Sequence, residues 1–308
     1  MAAPCTFRHL PSSSPCGSSE PLDAAFVAAY VARHHGRVIS FVGDSIVRQL
    51  FHHLVCLLAP YMDPLESRHP YWECRVLECL NAYTRVVVRH ERKSVTLQHR
   101  WIKGTLPWPP DLETRLFTAA HTVVFGIGAF LTKSTASVGA ALSAWNRTWL
   151  QNVQQRGGRV IWVEYFAGHF NSSDGEFVGS SHAEYFTKRR DDQGTYPCVP
   201  LSSSHTGAAI ARANPRHAES NRFARAAGWT VVETFEQSAS RHGEHPGVTD
   251  RRGVGNVTDC RHWSACSEVL KQRSSAILQT LIANDHQTTP PAAQARESHG
   301  ESDIRDRS

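Results

Sequence analysis

The sequence predicts an α/β fold in which helices cover both faces of a mostly parallel sheet. Short apolar runs rich in β-branched residues recur along the chain, and segments with apolar residues at helical spacing separate them. A long polar region rich in Ser and Gly interrupts this pattern between Tyr165 and about residue 207. Strands that alternate with helices favour parallel pairing and burial of both sheet faces, so we expect a layered sheet with long loops.

The composition fits a folded core and gives little support for nucleic-acid binding. The chain has 308 residues, 41% of them hydrophobic, and it contains eight Trp. Its formal net charge is +5, and no dense Lys/Arg block is interleaved with aromatic residues. No apolar stretch has the length of a membrane span, and the first ten residues do not resemble a signal peptide. The sequence therefore shows neither a signal nor an anchor.

The cysteines and glycosylation sequons favour an oxidising compartment. Three sequons begin at Asn146, Asn171 and Asn256. The eight cysteines allow up to four disulfides and leave the pairing open; they are Cys5, Cys16, Cys56, Cys74, Cys79, Cys198, Cys260 and Cys266. The alternative is a cytosolic protein with reduced thiols and chance sequons. The cysteine spacing does not match common zinc sites, so we expect no metal.

Three segments follow from the local composition. Residues 1–20 are rich in Ser and Pro, contain two Cys and predict an irregular segment. Residues 21–285 form the predicted folded domain, and residues 286–308 form a predicted polar, disordered tail.

The individual elements follow in chain order. Helical spacing predicts helices over 22–35, 45–58, 112–119, 137–155, 215–227 and 267–283. Apolar runs predict core strands over 37–42, 122–125, 159–164 and 229–233. Alternation on either side of a polar turn predicts a hairpin over 84–90 and 94–101.

The fold is organised around Ser45, which stands at the junction of the first predicted strand and its helix. Gly43 permits a tight turn, and Asp44 and Ser45 open the helical pattern. A hydroxyl there lies at the carboxyl edge of the sheet, where α/β folds bind ligands, and its N–H lies at a helix N-terminus. The alternative is an ordinary turn in which Asp44 or Ser45 only caps the helix.

Asp259 and His262 supply the residue types that make a serine nucleophilic. A histidine takes the hydroxyl proton, and a carboxylate holds the histidine tautomer and offsets the imidazolium charge. Both residues lie three positions apart in one loop before the last predicted helix. With 18 His in the chain, a chance pair of surface residues is the alternative.

Five ordered segments together resemble the trichome birefringence-like/PC-esterase family of SGNH, or GDSL-type, polysaccharide O-acetyltransferases. The segments are Phe41–Ser45 with Arg48, Leu54–Leu58, Val123–Phe125 leading to Gly128, Arg241–Pro246 and Asp259–Trp263. The likeness spans roughly residues 1–284 and is loose in the middle third. The chain departs from the family in having Gly126 where relatives often carry Asn, and in placing Cys266 three residues after the tryptophan.

The resemblance implies an SGNH-hydrolase-like three-layer sandwich and a Ser45–His262–Asp259 triad. It implies transfer of an acetyl group, through an acyl-serine, to a polysaccharide or glycan hydroxyl. Ser45 and a donor near Gly126 would form the oxyanion hole, and Arg48 and His169 would contact substrate. A salt bridge or surface position is the alternative for Arg48, and core packing for the aromatic residues around His169.

The same resemblance implies the partners and the compartment. The co-substrate would be an acetyl donor, either acetyl-CoA or another acetylated donor, with no tightly bound cofactor. The alternative partner is a membrane protein that supplies the donor. The protein would act in the Golgi or secretory-pathway lumen. Two alternatives remain open: a carbohydrate acetyl esterase with the same triad, and a catalytically silent glycan-binding protein.

Overall fold

A computed structural model describes residues 22–63, 65–66, 84–102, 117–131, 137–170, 198–201, 215–251, 255–264 and 267–283. The α-helices are α1 (Ala24–Arg33), α2 (Ser45–Leu58), α3 (Gly128–Leu131), α4 (Val138–Trp145), α5 (Gln151–Gln155), α6 (Pro215–Ala226), α7 (Phe235–Ala239) and α8 (Glu268–Ala283). The strands are β1 (Val38–Gly43), β2 (Thr84–His90), β3 (Lys93–Trp101), β4 (Thr122–Gly126), β5 (Arg159–Val163), β6 (Thr230–Val232), β7 (Gly247–Arg251) and β8 (Gly255–Asp259). Short 3-10 turns cover Ala59–Tyr61 and His242–Glu244.

Six strands form one sheet in the order β2–β3–β1–β4–β5–β6. Strand β1 pairs in parallel with both β3 and β4, and β4, β5 and β6 continue the parallel order. Strands β2 and β3 form an antiparallel hairpin at one edge. The predicted α/β class, the mostly parallel sheet and the hairpin are confirmed.

Helices pack on the two faces of this sheet in separate hydrophobic clusters. One cluster joins α1, α2 and α8 to residues such as Phe41 and Ile161. The other joins α4 and α5 to Val42, Phe125 and Trp162. Phe41 and Val42 are neighbours in β1 yet belong to different clusters, because successive strand residues point to opposite faces. Burial of both faces explains the continuous apolar runs in the sequence.

Two parts of the fold differ from the sequence prediction. The single helix predicted over 137–155 contains a π-helical segment at Asn146–Leu150 between α4 and α5. The hairpin of β7 and β8 was not predicted at all. The sequence from Gly247 to Asp259 lacks a long apolar alternation, the pattern by which the other strands were predicted.

Several predictions lie outside the described residues. These are the irregular segment 1–20, most of the helix 112–119, the sequon at Asn171, most of the polar region after residue 170 and the tail 286–308. The segments 164–170 and 198–201, which border that polar region, contain neither helix nor strand.

The structure contains a disulfide between Cys198 and Cys260, whose Cα atoms are 5.2 Å apart. Cys56 is also disulfide-bonded, which differs from the alternative of reduced thiols. In the described ranges, none of the helices combines the length and the apolar character needed to traverse a bilayer.

Candidate active site

Ser45 follows strand β1 at the carboxyl edge of the sheet and is the first residue of α2. The Asp44 carboxylate caps the helix by accepting hydrogen bonds from the N–H groups of Ile46 (2.9 Å) and Val47 (3.4 Å). A Cβ atom at Gly43 would lie 2.2 Å from the carbonyl oxygen of Gly126. Glycine at position 43 therefore lets β1 turn into α2 against the end of β4.

The loop that follows β8 carries the other two predicted triad residues. One carboxylate oxygen of Asp259, Oδ1, accepts the backbone N–H groups of Arg261 (3.2 Å) and His262 (3.1 Å). The disulfide from Cys260 to Cys198 holds the same turn. These contacts fix the path of the chain between Asp259 and His262. We call residues 259–263 the catalytic loop because they include two of the predicted triad residues.

The structure brings Ser45, His262 and Asp259 together as one hydrogen-bonded chain. His262 Nδ1 lies 2.8 Å from Asp259 Oδ2, and His262 Nε2 lies 2.7 Å from Ser45 Oγ. A carboxylate only accepts, so Nδ1 carries the ring proton and Nε2 is left to accept the Ser45 hydroxyl proton. The His262 and Asp259 side chains are 18% and 9% exposed, so a substrate can reach the histidine while the carboxylate stays shielded.

The side chain of Gln49 ties α2 to the catalytic loop. Its Nε2 donates to the carbonyl of Trp263 (2.9 Å), and its Oε1 accepts the N–H of Trp263 (3.2 Å). Gln49 lies one helical turn after Ser45, and Trp263 follows His262 directly. This double contact was not predicted from the sequence, because nothing local indicates that a helix glutamine pairs with a loop 214 residues away.

Two further histidines support the catalytic loop from inside the protein. His245 Nδ1 contacts the carbonyl of His262 (2.6 Å), and its Nε2 lies 2.6 Å from His169 Nδ1. His169 Nε2 contacts the carbonyl of Ala239 (2.9 Å). Burial lowers the pKa of His169 to about 4 and that of His245 to about 3.

The predicted contact of His169 with substrate finds no support in this geometry. His169 is 0% exposed, and both ring nitrogens contact groups inside the protein. Tyr165, Phe166 and Phe170, the aromatic residues near it in the sequence, are buried, as the packing alternative supposed. His169 therefore lies behind the catalytic loop instead of lining a groove.

Gly126 lies next to the turn that carries Ser45. In that position its carbonyl oxygen accepts a hydrogen bond, whereas an oxyanion hole needs a donor. Asp44 N–H donates to Gly126 O at 2.9 Å. The Ser45 N–H is the first of the four helix N–H groups that have no partner within a helix, and it points where negative charge is stabilised. The helix N-terminus favours negative charge beside Ser45, and the donor roles of Ser45 and Gly126 both stay predictions.

Two arginines near the predicted triad, Arg48 on α2 and Arg261 in the loop, lie close to aromatic rings. The Arg48 guanidinium lies 5.6 Å from the ring centroid of Trp101, at the end of β3. Arg261, in the catalytic loop, lies 5.8 Å from Tyr165 and 5.9 Å from Phe170. Arg48 was predicted as a substrate contact, whereas Arg261 was not singled out because its position in the loop gave no signal of its partners.

No family model matches this chain, and no curated protein sequence matches it. Within the described ranges, no group of three or more His, Cys, Asp and Glu side chains is placed to hold a metal ion. Inferences about function therefore depend on the geometry of Ser45, His262 and Asp259 and on the resemblance of the motifs.

Proposed function

We propose that this chain is an O-acetyltransferase that carries an acetyl group on Ser45 and passes it to a glycan hydroxyl. The observation that carries the proposal is the chain of contacts from Ser45 Oγ through His262 to Asp259, with distances of 2.7 and 2.8 Å. These lie within the range expected of a nucleophile, its base and the carboxylate that orients the base.

The first half-reaction forms the acyl-serine. Ser45 Oγ attacks the acetyl carbonyl of the donor while His262 Nε2 takes the hydroxyl proton. The new C–O bond forms, the bond to the donor's leaving group breaks, and the imidazolium returns the proton to that group. Asp259 offsets the positive charge that His262 carries between these events.

The second half-reaction repeats the chemistry with a sugar hydroxyl. The hydroxyl loses its proton to His262 Nε2 and attacks the acyl carbon, and Ser45 Oγ leaves with the proton that His262 returns. In both halves the oxyanion lies against the Ser45 N–H at the start of α2. A second backbone donor near Gly126 completes the proposed hole.

The resemblance of the motifs supports the SGNH-type version of this α/β fold. In support, the nucleophile follows the central strand β1, and Asp259 and His262 precede the last described helix, α8. An acetyl donor such as acetyl-CoA, a polysaccharide acceptor and a Golgi or secretory compartment are parts of the same proposal, and they rest on the resemblance alone.

One assay separates transfer from hydrolysis. Purified protein is incubated with an acetylated donor, with and without candidate oligosaccharides, while free acetate and the mass of the sugar are followed together. Ser45→Ala is the control. Acetylation of the sugar that requires Ser45 supports the transferase, whereas acetate release that requires Ser45 without acetyl-sugar indicates an esterase. Absence of both products, together with equal fluorophosphonate labelling of wild type and Ser45→Ala, would overturn the catalytic triad and favour a glycan-binding role.

A further inference from the structure

His169 and His245 form a buried bridge between two backbone carbonyls. One end is Ala239 O, which lies 2.9 Å from His169 Nε2, and the other is His262 O, which lies 2.6 Å from His245 Nδ1. The two rings meet in the middle, where His169 Nδ1 and His245 Nε2 are 2.6 Å apart. His169 is 0% and His245 7% exposed.

The bridge requires one proton more than two neutral rings possess. A carbonyl oxygen only accepts, so His169 Nε2 and His245 Nδ1 must each carry a hydrogen. A neutral imidazole has a single N–H, so both facing nitrogens, His169 Nδ1 and His245 Nε2, would then present lone pairs to one another at 2.6 Å. A third proton between them turns this repulsion into a hydrogen bond.

We propose that His169 and His245 share one proton as a buried imidazole–imidazolium pair that braces the catalytic loop. The bridge then consists of three hydrogen bonds and carries one positive charge. Its end at His262 O holds the backbone of the residue that acts as the base. A zinc ion fits this spacing poorly, because two nitrogens bound at about 2.0–2.1 Å in tetrahedral geometry lie about 3.3 Å apart.

Groups around the pair raise or lower the pKa of each histidine. Burial and the neighbouring His242 lower the pKa of His169, and its bond to Ala239 O raises it. Burial, His169 and His262 lower the pKa of His245, while the bond to His262 O and the charge of Asp259 raise it. The ring of Trp263, stacked on His245 at a centroid distance of 4.0 Å, favours a cation over its face.

A rise in pH is expected to weaken the bridge, because the bridge has fewer hydrogen bonds without the shared proton. Burial is the largest cause that lowers the pKa of His169 to about 4 and that of His245 to about 3. The shared proton adds a hydrogen bond between the two rings, so the pair keeps its proton to a higher pH than these values. When pH rises past this point the pair becomes neutral, and one of the two end bonds is lost. On the proposed function, the catalytic loop then loosens and kcat falls on the alkaline side of that step.

Nuclear magnetic resonance of the full chain labelled with ¹⁵N-histidine tests the proton directly. We expect one ring N–H resonance far downfield of ordinary imidazole signals at acidic pH, coupled to His169 Nδ1 and His245 Nε2, and lost as pH rises. Two neutral rings at every pH at which the protein is folded would overturn the proposal. So would a stoichiometric metal ion in the purified protein with no such resonance.

Two variants at position 169 separate bracing from general packing. His169→Gln offers two hydrogens from one amide nitrogen, so it can donate to Ala239 O and to His245 Nε2 without an added proton. His169→Leu can donate to neither. We expect both variants to lose the downfield resonance, and His169→Gln to keep more activity than His169→Leu while losing the pH step in kcat.

The expected loss for His169→Leu is about ten- to a hundredfold in kcat, the size that small misplacements of a base produce. An unchanged pH profile in His169→Gln would contradict the link to turnover. If wild type and Ser45→Ala are equally inactive while the resonance is present, the proposed function fails and the shared proton stands.

Discussion

Asp259 uses its two carboxylate oxygens for two different tasks. Oδ1 accepts the backbone N–H groups of Arg261 and His262 and thereby shapes the catalytic loop. Oδ2 lies against His262 Nδ1 and fixes the tautomer of the base. Because the tasks use different oxygens, a substitution can remove one and keep the other.

Asp259→Asn is expected to keep the loop and disable the base. The amide oxygen takes the place of Oδ1, where two N–H groups require an acceptor, so the amide NH₂ faces His262 Nδ1. The ring proton then moves to Nε2, which can no longer take the Ser45 proton. We expect kcat/KM to fall by roughly 10³–10⁴, as tautomer reversal does in other triads.

Hydrolysis of a chromogenic acetyl ester measures this effect, with the unfolding midpoint as a check on the fold. Asp63→Asn is the matched control, because Asp63 pairs with Arg89 beyond the far end of α2. An Asp259→Asn protein that keeps its folded stability and loses less than tenfold in activity would contradict the assigned role.

Among single residues, the sequence predicted the three members of the hydrogen-bonded chain but not the contact of Gln49 with the loop. Ser45, Asp259 and His262 belong to residue types that the chemistry demands, and they stand next to readable strand and helix boundaries. The role of Gln49 depends on Trp263, a partner 214 residues along the chain, whereas His245 was expected to support a loop beside the site. Such pairings leave no local periodicity or spacing, so His169 was assigned to substrate when it is buried behind the loop.

Helix α2 and the catalytic loop act as one unit because Gln49 joins them. Ser45, the proposed nucleophile, lies on the helix and His262, the proposed base, lies on the loop, so their 2.7 Å contact depends on how firmly the two elements are held together. The Gln49 amide makes two hydrogen bonds to the Trp263 backbone. On the other side, the disulfide from Cys260 holds the loop to the segment 198–201.

Gln49→Met is expected to lower kcat with little change in KM. Methionine has a similar length and keeps the packing, but it supplies neither a donor nor an acceptor of comparable strength for Trp263. Two lost hydrogen bonds destabilise the fold by about 1–3 kcal/mol, and the freed loop lowers kcat roughly ten- to a hundredfold.

Steady-state kinetics and chemical denaturation give both quantities, and Gln151→Met on the exposed surface of α5 is the control. A rise in KM with unchanged kcat would show that Gln49 acts on substrate binding instead of on the alignment of Ser45 and His262.

Elements with a long apolar pattern were predicted well, whereas the hairpin of β7 and β8 and the π-helical segment were not. The core strands and the hairpin of β2 and β3 have the apolar patterns that burial imposes. Strands β7 and β8 pair only with each other in the described structure, so their sequence carries no such pattern. The π-helical segment at Asn146–Leu150 shares the apolar spacing of an α-helix and is not distinguished by it.

A buried polar network around Glu164 connects several elements of the fold. Its carboxylate accepts the Asn221 amide (2.6 Å) and the backbone N–H groups of Thr234 (2.6 Å) and Phe235 (2.8 Å). Arg273, 1% exposed, donates to Thr234 O (2.5 Å) and lies 3.0 Å from the Phe166 ring centroid. The network links the end of β5 to α6, α7 and α8, a convergence that no single segment of sequence reveals.

Removal of the Glu164 charge and removal of the Arg273 charge are expected to have different effects on stability. Glu164 has three N–H donors and remains hydrogen-bonded without Arg273. In contrast, Arg273 Nε and Nη1 have no hydrogen-bond partner among the described residues. Burial lowers the pKa of Arg273, and the charge of Glu164 opposes this effect, so the charged form of the arginine depends on Glu164. We therefore expect Glu164→Gln to destabilise the protein by about 3–5 kcal/mol, the cost of leaving a buried charge uncompensated.

Arg273→Met should cost less, about 1–2 kcal/mol, because it replaces a partly satisfied cation by an apolar chain of similar length. Urea unfolding of both variants and of the double variant measures these values and their coupling. Removing both charges should recover part of the loss caused by Glu164→Gln, since the unpaired cation is then gone. A larger loss for Arg273→Met than for Glu164→Gln would show that the arginine, through Thr234 and Phe166, is what holds α8 to the sheet.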